Sequence, residues 1–379
     1  MNVDGLKNQF HHVGLLANQT SWYASKNAYL AQILGRHLKR VFVPEHGFFA
    51  ELQDQETLDD TSTYGFLNPH AEFVSVYGSN KQQSLQFTAA QLNDLDCIVV
   101  DIQDVGVRYF TYITTLFYLF KALKNNSISI PVFVTERPNP NIGRIEGTPL
   151  QANYQSFIGV EGLPHCYGLS LLQVAKRLQT KLQGTNTILP LDYKEDQWIQ
   201  PSPNIPTAAT CNIYAGMCLV EGTTMSEGRG TTLPFHIFGS PHLKFDDLNV
   251  INNNLKQITA GIPALATSWH LRLLKFIPTF HKHAGTVCNG FQLMVNGPGF
   301  HSLMFALLLL KETSRYFDDD KFWRPGAYEF GNDKTAMELL AGDAFLLEYL
   351  FGEVAPLDLW DYIKTAEAKW KEECNNLIS

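Results

Sequence analysis

The sequence predicts an α/β protein, with a mostly parallel sheet in the first two-thirds and a smaller α/β domain after it. Three observations carry this expectation. Short β-branched runs alternate with segments of helical period, the pattern of βαβ units. From about residue 265 that alternation gives way to two extended stretches and then to mostly helical ones. The chain's 379 residues, 45% of them hydrophobic, are enough for more than one core. The boundary is therefore placed between 264 and 265, giving domains of 1–264 and 265–379.

The elements follow in order. "HVGLLANQ" reads as the first strand, and Leu30, Ile33, Leu34 and Leu38 then recur at helical spacing before the strand "RVFVP". "EFVSVYG" is the third strand, followed by a helix with Leu85, Ala89, Leu92 and Leu95 on one face. "CIVVDIQD" is the fourth, and Phe110, Ile113, Phe117, Phe120 and Leu123 mark the next helix. "IPVFVTERPNP" is the fifth. Ser170 and Gln173 form an S-x-x-Q capping box that opens a helix through Val174, Ala175 and Leu178. "GMCLVEGTT" reads as a further strand after the Pro-rich loop "QPSPNIPT". "HLRLLKFIPTFHKHAG" and "CNGFQLMVNG" read as extended, and helices dominate from there to the end.

Composition narrows the function classes. A net charge of −8 and a pI near 5.8 argue against a nucleic-acid binder, which needs a basic face. An anionic substrate must then be held by a local basic pocket rather than by the global field. "TYITTLFYLFKAL" and "FALLLL" are too short or too interrupted to span a membrane, so no membrane partner is expected. The six cysteines form no C-x-x-C pair, and Cys97 and Cys218 sit in apolar runs as buried free thiols do. With no basic n-region and apolar h-region in "MNVDGLKNQFHH", a reducing, cytoplasmic location is expected.

The carboxyl ends of the expected strands carry Glu45 and His46, Asp101 to Asp104, Glu136 and Arg137, and Glu221. Ligands bind beyond those ends in open α/β sheets, so this rim is the expected site. Pro44 marks where ladder pairing stops ahead of Glu45. There is no P-loop, no G-x-G-x-x-G after the first strand, no H-E-x-x-H and no G-x-S-x-G, and no cofactor is expected. His281 and His283 alternate but lack a third ligand at metal spacing, so no metal is expected. What remains is acid–base work by paired carboxylates, the equipment of glycoside hydrolysis.

The runs "VPEHGFF", "VVDIQDVGVRYFTYI", "ERPNP", "PSPNIPT", "CLVEGTTMSEGRGTTLPF" and "PTFHKHAG", in this order, resemble the NamZ-like exo-β-N-acetylmuramidases. The resemblance runs from "VGLLANQT" into the C-terminal domain. It implies a Rossmann-like catalytic domain and a smaller domain closing an active-site cleft. It also implies release of N-acetylmuramic acid from the non-reducing end of peptidoglycan fragments (MurNAc-GlcNAc saccharides). Two positions depart from the family pattern: Phe49 stands where Arg is usual, and Glu136 where Asp is usual.

Glu45 is the expected general acid, since burial at a strand end favours a protonated carboxyl. His46 is expected to hydrogen-bond it or the sugar. Glu227, in "SEGRG", is the expected second carboxylate, with Asp101 and Glu221 as rivals. The lactyl carboxylate of muramic acid needs a fixed cation, for which Arg137, Arg229 and Arg108 are the candidates. Asp104 on the rim, Asn139, Asn204 and His283 in family-matching loops, and Tyr109 as a wall complete the expected binding set. Two other readings stay open: an inactive muramic-acid-binding protein, and a metal-dependent hydrolase using His46, Asp101 and His283.

Overall fold

The computed structural model describes residues 1–378 apart from 54, 55, 57, 59, 79–85, 161, 193–196, 298, 319, 320 and 329–332. The chain gathers into two compact units. The first comprises Met1–Gly106, Phe110–Gly143 and Gly168–Ala208, and the second Val107–Tyr109, Arg144–Tyr167 and Ala209–Ser379.

The first unit is built on six parallel strands: β1 (Val13–Ala17), β2 (Leu38–Val43), β3 (Glu72–Ser75), β4 (Cys97–Asp101), β5 (Val132–Thr135) and β6 (Ile188–Leu191). Their order is β3-β2-β1-β4-β5-β6, the Rossmann arrangement, and it reverses between β1 and β4. Pairing of Ala17 with Asp101 sets the ends of those two strands level. Both faces of the strands are apolar, as a sheet covered on both sides requires. Val13, Leu15, Val41, Val43, Val99 and Phe133 share one face and pack with Leu6, Leu30 and Leu34. Full burial of such a side chain stabilises by about 1.5–3 kcal/mol.

Five strands and the Ser170 helix stand where the sequence placed them. Ser170 and Gln173 exchange both capping hydrogen bonds and open the helix Leu171–Lys181. Other expectations are corrected. The helix expected through Leu38 ends at Leu34, because Gly35 turns the chain with φ +54°, and Leu38 instead opens β2. The helix expected around Ala89 is a single turn, Ala89–Leu92, and Leu85 lies outside the described residues. β6 was not foreseen; Pro190 hides it, and proline is tolerated because β6 is the sheet's edge. "GMCLVEGTT" is not a strand. It runs from the helix Ala208–Met217 into a 3₁₀ turn, Cys218–Gly222, and is buried on nearly every side, which erases its helical period.

The second unit holds an antiparallel sheet of β7 (Ile237–Ser240), β8 (Trp269–Phe276) and β9 (Cys288–Val295), in the order β7-β9-β8. The boundary expected at 264/265 falls inside this sheet, since β7 pairs with β9 across it. Periodicity marks a strand but not the sheet it joins, and the compact units change over at 208/209. The helix Ser302–Ser314 is buried all round, as its unbroken leucine run demands. Among the described residues no helix is long and apolar enough to cross a membrane.

Candidate active site

In the first unit Glu45 follows β2 by two residues and is 5% exposed. Thr111, just ahead of the helix Tyr112–Asn125, donates its hydroxyl to Glu45 Oε2 at 2.5 Å. A hydroxyl both donates and accepts, so Thr111 serves this carboxyl in either protonation state. The next residues close a loop. Leu52 donates its amide to the His46 carbonyl at 3.1 Å, and the His46 ring Nδ1 lies 3.0 Å from the Leu52 carbonyl. His46 holds φ +74°, a left-handed backbone that costs a non-glycine residue about 1–3 kcal/mol and recurs at functional sites.

At the switch point of the sheet lies Asp101, fully buried at the end of β4. Ser21 Oγ donates to its Oδ2 at 2.5 Å, and Arg137 Nε donates to its Oδ1 at 2.8 Å. Arg137 also lies 5.9 Å from the ring centre of Tyr23. Asp101 and Arg137 thus form a buried ion pair, capped by a hydroxyl that sequence inspection did not single out. Several expected ligand residues here are engaged in loop construction. Asp104 Oδ1 accepts from the Gly106 amide, Asn139 bridges the Asn141 amide and the Leu169 carbonyl, and Asn204 donates to Gln53. Glu136 is exposed and accepts from Ser170.

Arg108 and Tyr109 belong to the second unit, and both expectations for them are corrected. Arg108 is 1% exposed and donates to the carbonyls of Thr148, Leu340 and Ala341, the last two closing the helix Ala336–Ala341. Burial draws its pKa down to about 10. Tyr109 donates to the Ala215 carbonyl, and burial raises its hydroxyl well above the ordinary range. Both side chains serve packing.

The second unit's own cluster centres on Glu227, 1% exposed. Arg229 Nε stands 3.1 Å and His281 Nδ1 2.9 Å from its Oε1, and Lys282 Nζ 3.0 Å from its Oε2. Burial alone would raise this carboxyl; Lys282, His281 and Arg229 together hold it well below the usual carboxylate range. Gly228 and Gly230 form the turn that presents Glu227 and Arg229, with φ +83° and +76°. A Cβ on Gly228 would sit 2.3 Å from the Ile237 carbonyl oxygen, so the backbone packs there only as glycine. His281 and Lys282 come from the β8–β9 connection, which is tied to that turn by the Thr279 amide donating to Gly230.

Arg229 also pairs with Glu221 at 2.8 Å, and Tyr328 donates to the other Glu221 oxygen at 2.9 Å. Glu221 therefore sits on a 3₁₀ turn of this cluster and not at a strand end of the parallel sheet. His281 and His283 do not alternate along a strand: both occupy turns, with φ +66° and +59°. His283 Nε2 meets the Thr224 carbonyl at 2.7 Å, and burial lowers its pKa. Among the described residues no three His, Cys, Asp or Glu side chains are grouped to hold a metal ion.

A parallel sheet of Rossmann order with buried acids at its carboxyl ends, and a second unit with a buried carboxylate among cations, define an α/β protein equipped with buried carboxylates. Models of the exo-β-N-acetylmuramidase NamZ N-terminal and C-terminal domains match residues 13–209 and 212–378. The chain belongs to the exo-β-N-acetylmuramidase NamZ family. It is 32% identical over 306 residues to the peptidoglycan β-N-acetylmuramidase NamZ of Bacillus subtilis (strain 168), covering 77% of this chain and 70% of that protein. Two crystal structures of DUF1343 family proteins from Bacteroides fragilis share its fold at 22% identity. One has a TM-score of 0.77 and covers 99% of this chain and 96% of the other. The second has a TM-score of 0.69, with 97% and 93%.

Proposed function

We propose that this chain is an exo-acting glycosidase that releases N-acetylmuramic acid from the non-reducing ends of peptidoglycan fragments. The observation that carries the reading is the match of both halves of the chain to the muramidase family. The buried acids supply the chemistry. Glu45, with a hydroxyl partner suited to both its protonation states, takes the role of proton donor to the glycosidic oxygen. Glu227, held ionised by its cations in the second unit, suits stabilisation of positive charge rather than proton donation.

The disaccharide MurNAc-GlcNAc is the substrate of choice for this reading. Cys97, Cys218 and Cys288 are buried as reduced thiols, which supports action on wall fragments recycled inside the cell. The testing experiment incubates the protein with a chromogenic N-acetylmuramide beside the matching N-acetylglucosaminide. Strong preference for the muramide is expected, and equal turnover of the two rejects the reading. Cell fractionation tests the location separately.

A further inference from the structure

Phe66 is a large ring left 69% exposed, and it is not an isolated surface side chain. Its plane lies within 4° of that of half-buried Phe49, with centroids 6.0 Å apart. The two rings come from separate turns, and one residue ties those turns together. Tyr64 accepts from the Phe48 amide at 3.2 Å and donates to the Glu51 carboxylate, which in turn accepts from the Phe49 amide at 2.8 Å. Burial and Glu51 both raise the Tyr64 hydroxyl, so the clamp stays protonated. Phe49 is further gripped edge-on by Tyr29 at 5.8 Å. Rings held by such contacts before a ligand arrives lose little freedom when one binds.

From this we infer that Phe66 and Phe49 form a stacking platform for a neutral pyranose ring on the leaving-group side of the scissile bond. Three features select that ligand. The electron-rich faces of aromatic rings attract the polarised C–H face of a sugar, much as they attract the edge of another ring. Phe49 lies four residues after Glu45, and a proton donor faces the leaving group. Glu51, anchored beside the rings, carries a negative charge that disfavours a carboxylate-bearing sugar and leaves a neutral N-acetylhexosamine as the match. The placement of the sugar on the leaving-group side rests on the glycosidase reading, whereas the stacking surface itself does not.

The test is calorimetric titration of the full chain with N,N′-diacetylchitobiose, using the unmodified protein and Phe66→Ala, Phe66→Leu and Phe66→Tyr. Because the ring is exposed, each variant should melt with the unmodified protein. Binding is expected to weaken about five- to tenfold in Phe66→Ala and Phe66→Leu and to persist in Phe66→Tyr. No binding by the unmodified protein at millimolar ligand overturns the proposal. So does unchanged binding in Phe66→Ala, or full retention by Phe66→Leu, which would show apolar area rather than a ring face at work. MurNAc-GlcNAc turnover is measured in parallel. If the unmodified protein binds chitobiose through Phe66 but hydrolyses no muramide, the platform stands and the glycosidase reading falls.

Discussion

Lys282 and Glu227 form a buried ion pair, Nζ to Oε2 at 3.0 Å, in which the lysine also reaches three backbone carbonyls, those of Val220, Glu221 and Met225, at 3.1–3.3 Å. Removing one partner of a buried pair strands the other, at a cost of about 3–5 kcal/mol. Arg229 and His281 still face Glu227 without the lysine, so Lys282→Met should destabilise the protein in chemical denaturation by less than that full cost. The same variant should move the acidic limb of the pH–rate profile upward, because Glu227 loses its leading counter-charge. An unchanged limb would remove Glu227 from the chemistry.

Glu227 also links stability to pH. Its folded pKa lies below its ordinary value of 4.5, so the unfolded chain takes up the proton first. The contribution is complete above pH 4.5 and is lost as pH falls below that value toward the depressed folded pKa. Acid unfolding curves should show this loss, and Glu227→Gln should flatten it.

Glu45→Gln should reduce turnover of MurNAc-GlcNAc by about 10²–10⁴-fold, the usual worth of general acid catalysis. A nitrophenyl muramide, whose leaving group hardly needs a proton, should lose far less. The basic limb of the profile should vanish in this variant. Thr111→Val, which removes the hydrogen bond to Glu45, should shift that limb upward while KM changes little. Equal losses on both substrates with the limb intact would assign the acid elsewhere.

Arg108 and Arg137 should behave differently from ligand-binding arginines. Arg108→Met should lower the melting temperature and leave KM within about twofold, because its donors serve carbonyls inside the second unit. Arg137→Met should cost about 3–5 kcal/mol by stranding Asp101, and the double variant Asp101→Asn/Arg137→Met should cost less than the sum of the single changes. Additive costs in that cycle would show that the two side chains act independently.

The parallel sheet was legible because each central strand is a short apolar run, and Glu45 and Asp101 were legible because they end such runs. Their partners were not. Ser21 reaches Asp101 across 80 positions and Thr111 reaches Glu45 across 66, and no local pattern announces a contact at that range. Lys282 was invisible for the same reason, and His281 read as facing one way with His283 along a strand because alternation in sequence imitates a strand that the left-handed backbone of both histidines breaks. Glu221 was misplaced with its whole segment: a helix buried on all sides carries no period to read. Arg108 looked like a ligand because charge in a family motif suggests chemistry, and only its burial against a helix end shows otherwise.

The chain passes between the two compact units at 106/107, 109/110, 143/144, 167/168 and 208/209. Because Val107–Tyr109 and Arg144–Tyr167 are borrowed from the middle of the first unit's sequence, no single cut separates the gene into two complete folding modules. A fragment ending at Ala208 would carry the paired strands Ile145–Glu146 and Cys166–Tyr167 without the helix Pro356–Ile378, whose Trp370 donates to the Tyr167 carbonyl. On the ribosome, that short hairpin must wait for Trp370, 203 positions after Tyr167, before it finds this cover. Split reporters, tagged insertions and domain exchanges within this family should therefore be laid out along the compact units rather than along the linear halves.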